Sequence, residues 1–257
     1  NRLLSVPQML LSLHRAVRLI AVSSCTGRDL ADLPGVDPSR IRVIPEAPAP
    51  GLKPPTPDGV KDLIRRLSLP EIFFLYLGAL EPRKNVASLV RALGLLRAAG
   101  DDRAQLVIAG AEGWRNEDVR LEVRRLGLRE VVHFAGYVAP GDLPALFGAA
   151  TAFVYPSLFE GFGLPPLEAM ACGTPVVCSN TSSLPEVVGD AALLVDPRSD
   201  GDLAAALRSL LDDEELRARL RAAGPARARL FSWERTARET LAVYHEAAAQ
   251  QGRGVRR

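Results

Sequence analysis

Short apolar segments alternate with amphipathic stretches along most of this chain, and that alternation constrains the fold more than any other feature. The apolar segments predict strands at Phe73–Leu77, Leu106–Ala109, Val131–Phe134, Ala152–Tyr155, Pro175–Cys178 and Ala192–Val195. The amphipathic stretches predict helices at Val86–Leu96, Asp118–Leu126, Leu143–Phe147, Pro166–Ala171, Leu184–Val188 and Asp202–Leu211. Strands that are short and apolar throughout are typical of sheets covered by helices on both faces. The sequence therefore predicts an α/β protein with a Rossmann-like, doubly wound parallel sheet.

Several segments rich in glycine or polar residues directly follow the predicted strands. They are Gly78–Asn85, Gly110–Trp114, Gly136–Val138 and Glu160–Glu168. Parallel strands end at the same edge of their sheet, and ligands of doubly wound sheets bind at that edge. We therefore expect these segments to form one binding site.

The segment Glu160–Glu168 predicts a glycine-rich loop that runs directly into a helix. Two glycines follow Glu160, two prolines suit the first helical turn, and Gly173 suits the helix end. Such a helix start binds anions, because its backbone N–H groups and the positive end of its dipole point at the same place. A phosphate at the helix start, with hydroxyl-bearing groups near Glu160 and Glu168, would match a nucleotide-sugar.

The composition excludes some classes of partner and site. Hydrophobic residues make up 47% of the 257 residues, and 32 basic residues nearly balance 30 acidic ones, so nucleic-acid binding gains no support. Cys25, Cys172 and Cys178 have no metal-ligand spacing, and their odd number and low density favour a reducing cytoplasm. No apolar run reaches the ~18 residues of a membrane span, and no signal peptide is visible. We expect a cytoplasmic protein and leave open a peripheral contact with the inner face of the membrane.

The chain begins at Asn1, and strands are predicted early, at Val17–Val22 and Arg40–Ile44. A proline-dense stretch follows, which is typical of a stiff connector between domains. We interpret the first residues as the end of a domain whose beginning is absent. The predicted organisation is a domain remnant at 1–45, a connector at 46–57, a nucleotide-sugar domain at 58–230, and a C-terminal helix and tail at 231–257.

Three motifs occur in a fixed order: Leu77–Asn85 (LGALEPRKN), the pair Glu160 and Glu168 with seven residues between them, and Gly173–Val177 (GTPVV). In this order they resemble the donor-binding half of the retaining glycosyltransferases of family 4, over nearly the whole chain. The resemblance implies the C-terminal half of a GT-B fold, in which one domain binds the acceptor and the second binds the nucleotide-sugar. The final helix, near Trp233–Ala248, resembles the helix that crosses back onto the first domain.

The resemblance also implies a role for each motif residue. Arg83 and Lys84 would contact the diphosphate, Glu160 would lie beside the sugar ring, and Glu168 would accept hydrogen bonds from the ribose hydroxyls. The predicted catalytic residues are Glu160, Arg83 and Lys84. The predicted donor-binding residues are Gly78, Arg83, Lys84, Gly136, Tyr137, Val138, Glu160, Gly161, Phe162, Gly163, Leu164 and Glu168. Two plainer interpretations stay open: a solvated Arg83–Lys84 pair, and a simple strand-end turn at Gly136–Val138.

The departing diphosphate needs positive charge, and no Asp-x-Asp tripeptide is present to hold a metal. We therefore expect Lys84, Arg83 and the helix start to supply that charge without a metal. The sequence departs from the family where many members carry an arginine, since Ala79 follows Gly78, and Arg83 is a candidate for the missing charge. His14 and His133 are predicted to be structural and His245 to lie on the surface, so a catalytic histidine is expected in the missing domain.

The predicted function is metal-independent, retaining transfer of a hexose from a GDP- or UDP-linked donor to a glycan or lipid-linked acceptor, with no further cofactor. The region Ser182–Glu186 resembles mannosyl-transferring relatives, which favours mannose weakly. The fragment alone is expected to bind the donor without transferring the sugar. The alternatives are a nucleotide-binding module without transfer activity and a hexosamine epimerase of similar two-domain build.

Overall fold

The structure is a computed structural model that describes residue 8 and residues 11–110 and 117–254, with side chains up to residue 250. It divides into two compact units, of which the larger is Pro48–Leu230 and the smaller comprises the chain up to Ala47 and from Phe231 onwards. No helix within the described ranges is both long enough and apolar enough to cross a membrane.

The strands are β1 (Leu19–Ala21), β2 (Ile41–Val43), β3 (Phe73–Leu77), β4 (Gln105–Ala109), β5 (Val132–Gly136), β6 (Ala152–Tyr155), β7 (Val176–Ser179) and β8 (Leu193–Val195). The described helices are α1 (11–15), α2 (Ser24–Ala31), α3 (Pro57–Leu67), α4 (Val86–Ala98), α5 (Glu117–Arg125), α6 (Leu143–Ala149), α7 (Leu164–Ala171), α8 (Leu184–Val188), α9 (Asp200–Asp212), α10 (Glu214–Ala228) and α11 (Trp233–Gly254). Short 3-10 turns occur at Pro38–Arg40, Pro82–Lys84, Pro140–Asp142 and Gly189–Ala191.

The larger unit is built on a six-stranded sheet with the order β5-β4-β3-β6-β7-β8, and every neighbouring pair is parallel. Strands β4 and β5 extend the sheet on one side of β3, and β6, β7 and β8 extend it on the other side. The loops that follow β3 and β6 therefore leave the sheet at a topological switch point, where doubly wound sheets bind their ligands. The predicted fold class is confirmed.

The centre of this sheet is fully buried, which explains why its strands are apolar on both faces. Tyr76 of β3 and Tyr155 of β6 lie inside this core with their rings stacked at 6.2 Å between centroids. Each tyrosine carries its hydroxyl near the carboxyl end of its strand, and the Tyr76 Oη donates to the Ala79 carbonyl at 2.9 Å. The core thus brings two phenol groups up to the switch point.

All twelve strands and helices predicted for the larger unit occur, with ends within two residues of the predicted ones. Two of its helices, α3 and α10, had no prediction. Pro57, assigned to the connector, is in fact the first residue of α3, because Thr56 caps the helix and proline fits the first helical position. In α10, Gly224 allows close packing on α7, since an added Cβ would lie 3.0 Å from the Met170 carbonyl oxygen.

The smaller unit contains a two-stranded parallel sheet formed by β1 and β2, together with α2 and α11. Leu13, Leu19 and Val36 form its apolar cluster. Arg18 and Arg42 both pair with Glu246 of α11, at 3.0 and 3.1 Å. Both strands are shorter than predicted, and α11 starts at Trp233 as predicted but continues past Ala248 to Gly254.

Candidate functional site

The loops that follow β3 and β6 are fixed to each other at the switch point. The Leu158 N–H donates to the Arg83 carbonyl at 2.8 Å. Asn85 has a left-handed backbone with φ of 55°, and its amide nitrogen donates to the carbonyls of Pro156 at 3.2 Å and Pro197 at 2.8 Å. One asparagine side chain therefore joins the loops that follow β3, β6 and β8.

These two loops bring the three predicted catalytic residues together. The Lys84 Nζ lies 2.6 Å from Glu160 Oε1, and the Arg83 Nη1 lies 3.0 Å from Glu160 Oε2. Lys84 and Glu160 are 9% and 7% exposed, whereas Arg83 is exposed and also pairs with Glu81 at 2.9 Å. Each cation thus has a carboxylate partner from the protein. The interpretation as a merely solvated residue is wrong for the buried Lys84 and stays open for the exposed Arg83. We call Arg83, Lys84 and Glu160 the charged cluster.

Tyr155 contacts the charged cluster through Lys84. Its hydroxyl accepts a hydrogen bond from the Lys84 Nζ, which also lies 4.9 Å from the centre of the Tyr155 ring. Burial, aided by the negative charge of Glu160, raises the pKa of Tyr155, so the phenol stays protonated. Sequence reasoning did not identify this residue, although a polar residue at the end of a buried strand is a detectable signal.

The charged cluster keeps Glu160 ionised despite its burial. Burial by itself raises the pKa of the Glu160 carboxyl, but the hydrogen bond and charge of Lys84, with the charge of Arg83, outweigh it and lower the pKa. Both carboxylate oxygens already have a cationic partner. A phosphate that enters the site would share these cations with Glu160.

The loop after Glu160 leads into α7 as predicted. Gly163 has φ of 115° and forms the N-cap, and an added Cβ there would lie 2.7 Å from Leu184, so this position requires glycine. Gly163 has no side chain to cap the helix, prolines occupy its first turn, and Gly173 has φ of 73° after its end. Pro165 and Pro166 carry no N–H, and the Leu167 N–H donates to the Gly163 carbonyl, so in this first turn Leu164 is the residue that can offer its N–H to an anion, beside the positive end of the helix dipole.

Glu168 lies on α7 in a different electrostatic setting. Burial raises the pKa of its carboxyl, opposed by a hydrogen bond from the Ala49 backbone. Within the described part of the chain, no lysine or arginine forms an ion pair with Glu168. The predicted ribose-binding carboxylate is therefore half-buried, and none of the described residues supplies a compensating cation.

Two predicted donor-binding glycines line one cavity of about 110 Å³. Its lining residues are Gly78, Leu80, Ile108, Ala109, Gly110, Arg120, Phe134 and Gly136. In the turn after β5, Gly136 has φ of 67°, Tyr137 is 75% exposed and Val138 is buried. Of the predicted segment Gly110–Trp114, the residues after Gly110 lie outside the described residues. The interpretation of Gly136–Val138 as a plain turn stays open, and its contact with a base stays a prediction.

His133 and His245 occupy the positions expected of them, whereas His14, predicted to be structural, has an exposed side chain. His133 is half-buried and contacts the Gln105 side chain, and His245 is exposed. Arg83, the candidate for the charge missing at Ala79, is held by Glu81 and Glu160. Whether it compensates for Ala79 stays a prediction.

Comparison with known proteins agrees with this architecture. The family model for glycosyl transferases group 1 matches residues 62–227. The O-antigen chain mannosyltransferase B of Escherichia coli is 46% identical over 173 residues, which cover 67% of this chain and 45% of that protein. The chain spans about half, or less, of the length of the curated relatives it matches.

Solved structures share the fold. Sucrose-phosphate synthase from Thermosynechococcus elongatus superimposes with a TM-score of 0.79 at 30% identity, covering 93% of this chain and 60% of that one. HepE of Anabaena, solved in complex with UDP-glucose, superimposes with a TM-score of 0.78 at 22% identity, covering 94% and 65%. The predicted resemblance is confirmed, and the chain belongs to the family of glycosyl transferases group 1.

Proposed function

We propose that this chain is the donor-binding half of a retaining glycosyltransferase that takes a hexose from a nucleoside diphosphate sugar without a metal. The observation that carries the proposal is the charged cluster at the switch point of the sheet. Arg83, Lys84 and Glu160 come from the two loops that diverge there, and α7 starts four residues after Glu160 with Gly163 as its N-cap. This is the position at which doubly wound sheets bind nucleotides.

The leaving diphosphate gains negative charge as the glycosidic bond breaks, and groups already in place can stabilise it. Lys84 is held by Tyr155 and Glu160, so its ammonium needs little reorganisation when a phosphate arrives. Arg83 is exposed enough to turn toward phosphate oxygens while Glu160 still holds Lys84. The start of α7 adds the positive end of its dipole and the Leu164 N–H. In our proposal these groups supply the charge that a metal supplies in other transferases.

The two carboxylates have separate roles in this proposal. Glu160, beside the cations, lies next to the hexose, and Glu168 accepts hydrogen bonds from the ribose hydroxyls. The relative with 46% identity is named a mannosyltransferase, which supports mannose as the hexose; the nucleotide in our proposal is GDP or UDP. A calorimetric titration of the chain with UDP, GDP and ADP, followed by the corresponding nucleotide-sugars, tests both assignments.

The acceptor side of the reaction depends on sequence beyond the larger unit. We propose that residues 1–45 belong to the acceptor domain, that the acceptor is a glycan or a lipid-linked glycan, and that transfer occurs on the cytoplasmic side of the membrane. This chain should then bind the donor but transfer sugar only when the N-terminal portion is supplied. NMR of the transferred sugar reports whether the anomeric configuration is retained.

The phosphate assignment is tested with Arg83→Met, because Arg83 is exposed and its loss should leave the fold intact. We expect about tenfold weaker binding of a nucleoside diphosphate and unchanged binding of the nucleoside, since a charge-assisted hydrogen bond is lost. The matched control is Arg65→Met, an exposed arginine of α3 paired with Asp62, which should change neither. Binding should persist in EDTA. Equal losses for nucleoside and diphosphate would refute the assignment.

A further inference from the structure

Three consecutive hydroxyl side chains in the turn between β7 and α8 contact the backbone around Glu160. The Thr181 Oγ1 lies 3.4 Å from the Leu158 carbonyl. The Ser182 Oγ accepts a hydrogen bond from the Glu160 N–H at 3.1 Å. The buried Ser183 Oγ lies 3.0 Å from the Glu160 carbonyl and 2.7 Å from the Phe162 carbonyl. The turn after β7 thus holds the loop after β6 on both sides of its carboxylate residue.

Ser182 differs from its two neighbours because its backbone is left-handed, with φ of 54°. That conformation is unfavourable for residues other than glycine, and such strain persists only where the surroundings require it. Glycine would adopt it freely but would lack the hydroxyl that accepts the Glu160 N–H. The serine therefore supplies a contact to the site that glycine cannot supply.

Ser68 shows what a left-handed serine looks like without such a contact. It has φ of 49° and forms the C-cap of α3, where the left-handed conformation itself ends the helix. No side-chain hydrogen bond of Ser68 is present among the described residues. The two serines share a backbone conformation and differ in what the hydroxyl binds, so Ser68 is a matched control.

We propose that Ser182 is a positioning residue for Glu160, an inference that rests on the proposed donor site. The loop that carries Glu160 is held from one side by Arg83 and Lys84 of the loop after β3, and from the other side by the turn after β7. The hydrogen bond from the Glu160 N–H to the Ser182 hydroxyl fixes the position of the Glu160 backbone between the loop after β3 and the turn after β7. It thereby keeps the carboxylate in place to hold both cations where a diphosphate sugar meets them.

The test compares Ser182→Gly, Ser182→Ala and Ser68→Gly in the full 257-residue chain. Ser182→Gly removes the hydroxyl and relieves the backbone strain, and Ser182→Ala removes the hydroxyl but keeps the strain. We expect both Ser182 variants to bind the better of UDP-glucose and GDP-mannose about five- to tenfold more weakly, as for one lost hydrogen bond. The melting temperature should be lower in the alanine variant than in the glycine variant. Ser68→Gly should bind the donor like the wild type.

A second measurement follows the Glu160 N–H itself. Because this group loses its acceptor, its hydrogen exchange should become faster in both Ser182 variants and stay unchanged in Ser68→Gly. This separates positioning from general destabilisation, since the glycine variant is not expected to lose stability. It also reports on Ser182 in the absence of any ligand.

The outcomes separate the two proposals. If the wild type binds neither nucleotide-sugar, the proposed function fails, and the exchange rate of the Glu160 N–H still decides whether Ser182 holds this residue. If the wild type binds and Ser182→Gly binds equally well, the positioning role is overturned. If only the alanine variant binds more weakly, affinity follows stability and not the loss of the hydroxyl, and the positioning role of Ser182 is again overturned.

Discussion

Glu160 and Glu168 lie eight residues apart on either side of one helix start, yet their surroundings shift the pKa values of the two carboxyls in opposite directions. The Glu160 carboxylate is buried against Lys84 and Arg83, which lower its pKa against the effect of burial. Burial raises the pKa of Glu168, and no ion pair compensates for it within the described residues. Among the described residues, Glu160 has two cationic partners, whereas Glu168 has a hydrogen bond from the Ala49 backbone and no cation.

This difference distinguishes a carboxylate that holds the cations of the site from one that is available to a ligand. Glu160 fixes the geometry of the two cations, so its contribution is present before any donor binds. Glu168 gains most from a partner that donates hydrogen bonds to it, and two neighbouring hydroxyls of a ribose fit that need. In the proposed donor site, Glu160 would thus organise the cations and Glu168 would recognise the ribose.

The largest effect that tests this comparison is on stability. Lys84→Met leaves the buried Glu160 without its nearest cation, which should lower the free energy of unfolding by about 3–5 kcal/mol. The double variant with Glu160→Gln should recover most of this loss, because no buried charge remains. Urea unfolding measures both.

Controls for this experiment come from other charged residues of the chain. Arg65→Met, at an exposed ion pair, should cost less than about 0.5 kcal/mol. Glu168→Gln should cost little or nothing, because its charged form is disfavoured by burial. A loss at Lys84 as small as that at Arg65 would show that Glu160 does not depend on this cation.

A smaller effect concerns ribose recognition. Glu168→Gln keeps the helix and the side-chain size but removes the charged acceptor, so it should weaken ribonucleoside diphosphate binding by about 1–3 kcal/mol. The 2′,3′-dideoxy analogue should lose much less, since it has no hydroxyls to donate. Glu160→Gln serves as the counterpart and should affect the nucleotide-sugar more than the bare nucleotide. Similar losses for the ribo and dideoxy forms would rule out the ribose role of Glu168.

The sequence predicted the sheet and the position of the charged cluster, because both depend on local patterns. Apolar runs and a glycine-rich helix start are visible in the chain itself, and parallel strands bring their ends to one edge. It could not predict the contacts made by Tyr155, Asn85 and Ser182, since each depends on a partner 22 to 112 residues away. It also gave no prediction for α10, whose Gly224–Pro225 pair is typical of a helix end.

The smallest effect is the pH dependence of binding. It distinguishes the two carboxylates because the folded pKa is raised for Glu168 and lowered for Glu160. The folded pKa of Glu168 is raised above its ordinary 4.5, so its contribution to stability is present below 4.5 and lost as pH rises through the folded pKa. The folded pKa of Glu160 is lowered, so its contribution is present above 4.5 and lost as pH falls through the folded pKa. Ribose hydroxyls that donate to the Glu168 carboxylate favour its charged form. Nucleotide affinity should therefore rise as pH increases from 4.5, with release of a proton from Glu168, and then level off above its folded pKa.

Calorimetry in two buffers with different heats of ionisation measures that proton release. Glu168→Gln should abolish the part of the release that comes from the protein, and the difference between variant and wild type removes the titration of the nucleotide phosphate. Glu160→Gln should leave the release unchanged, because the Glu160 carboxyl is already ionised across this pH range. Proton release that disappears with Glu160→Gln and persists with Glu168→Gln would reverse the assignment, making Glu160 the group that waits for the ligand.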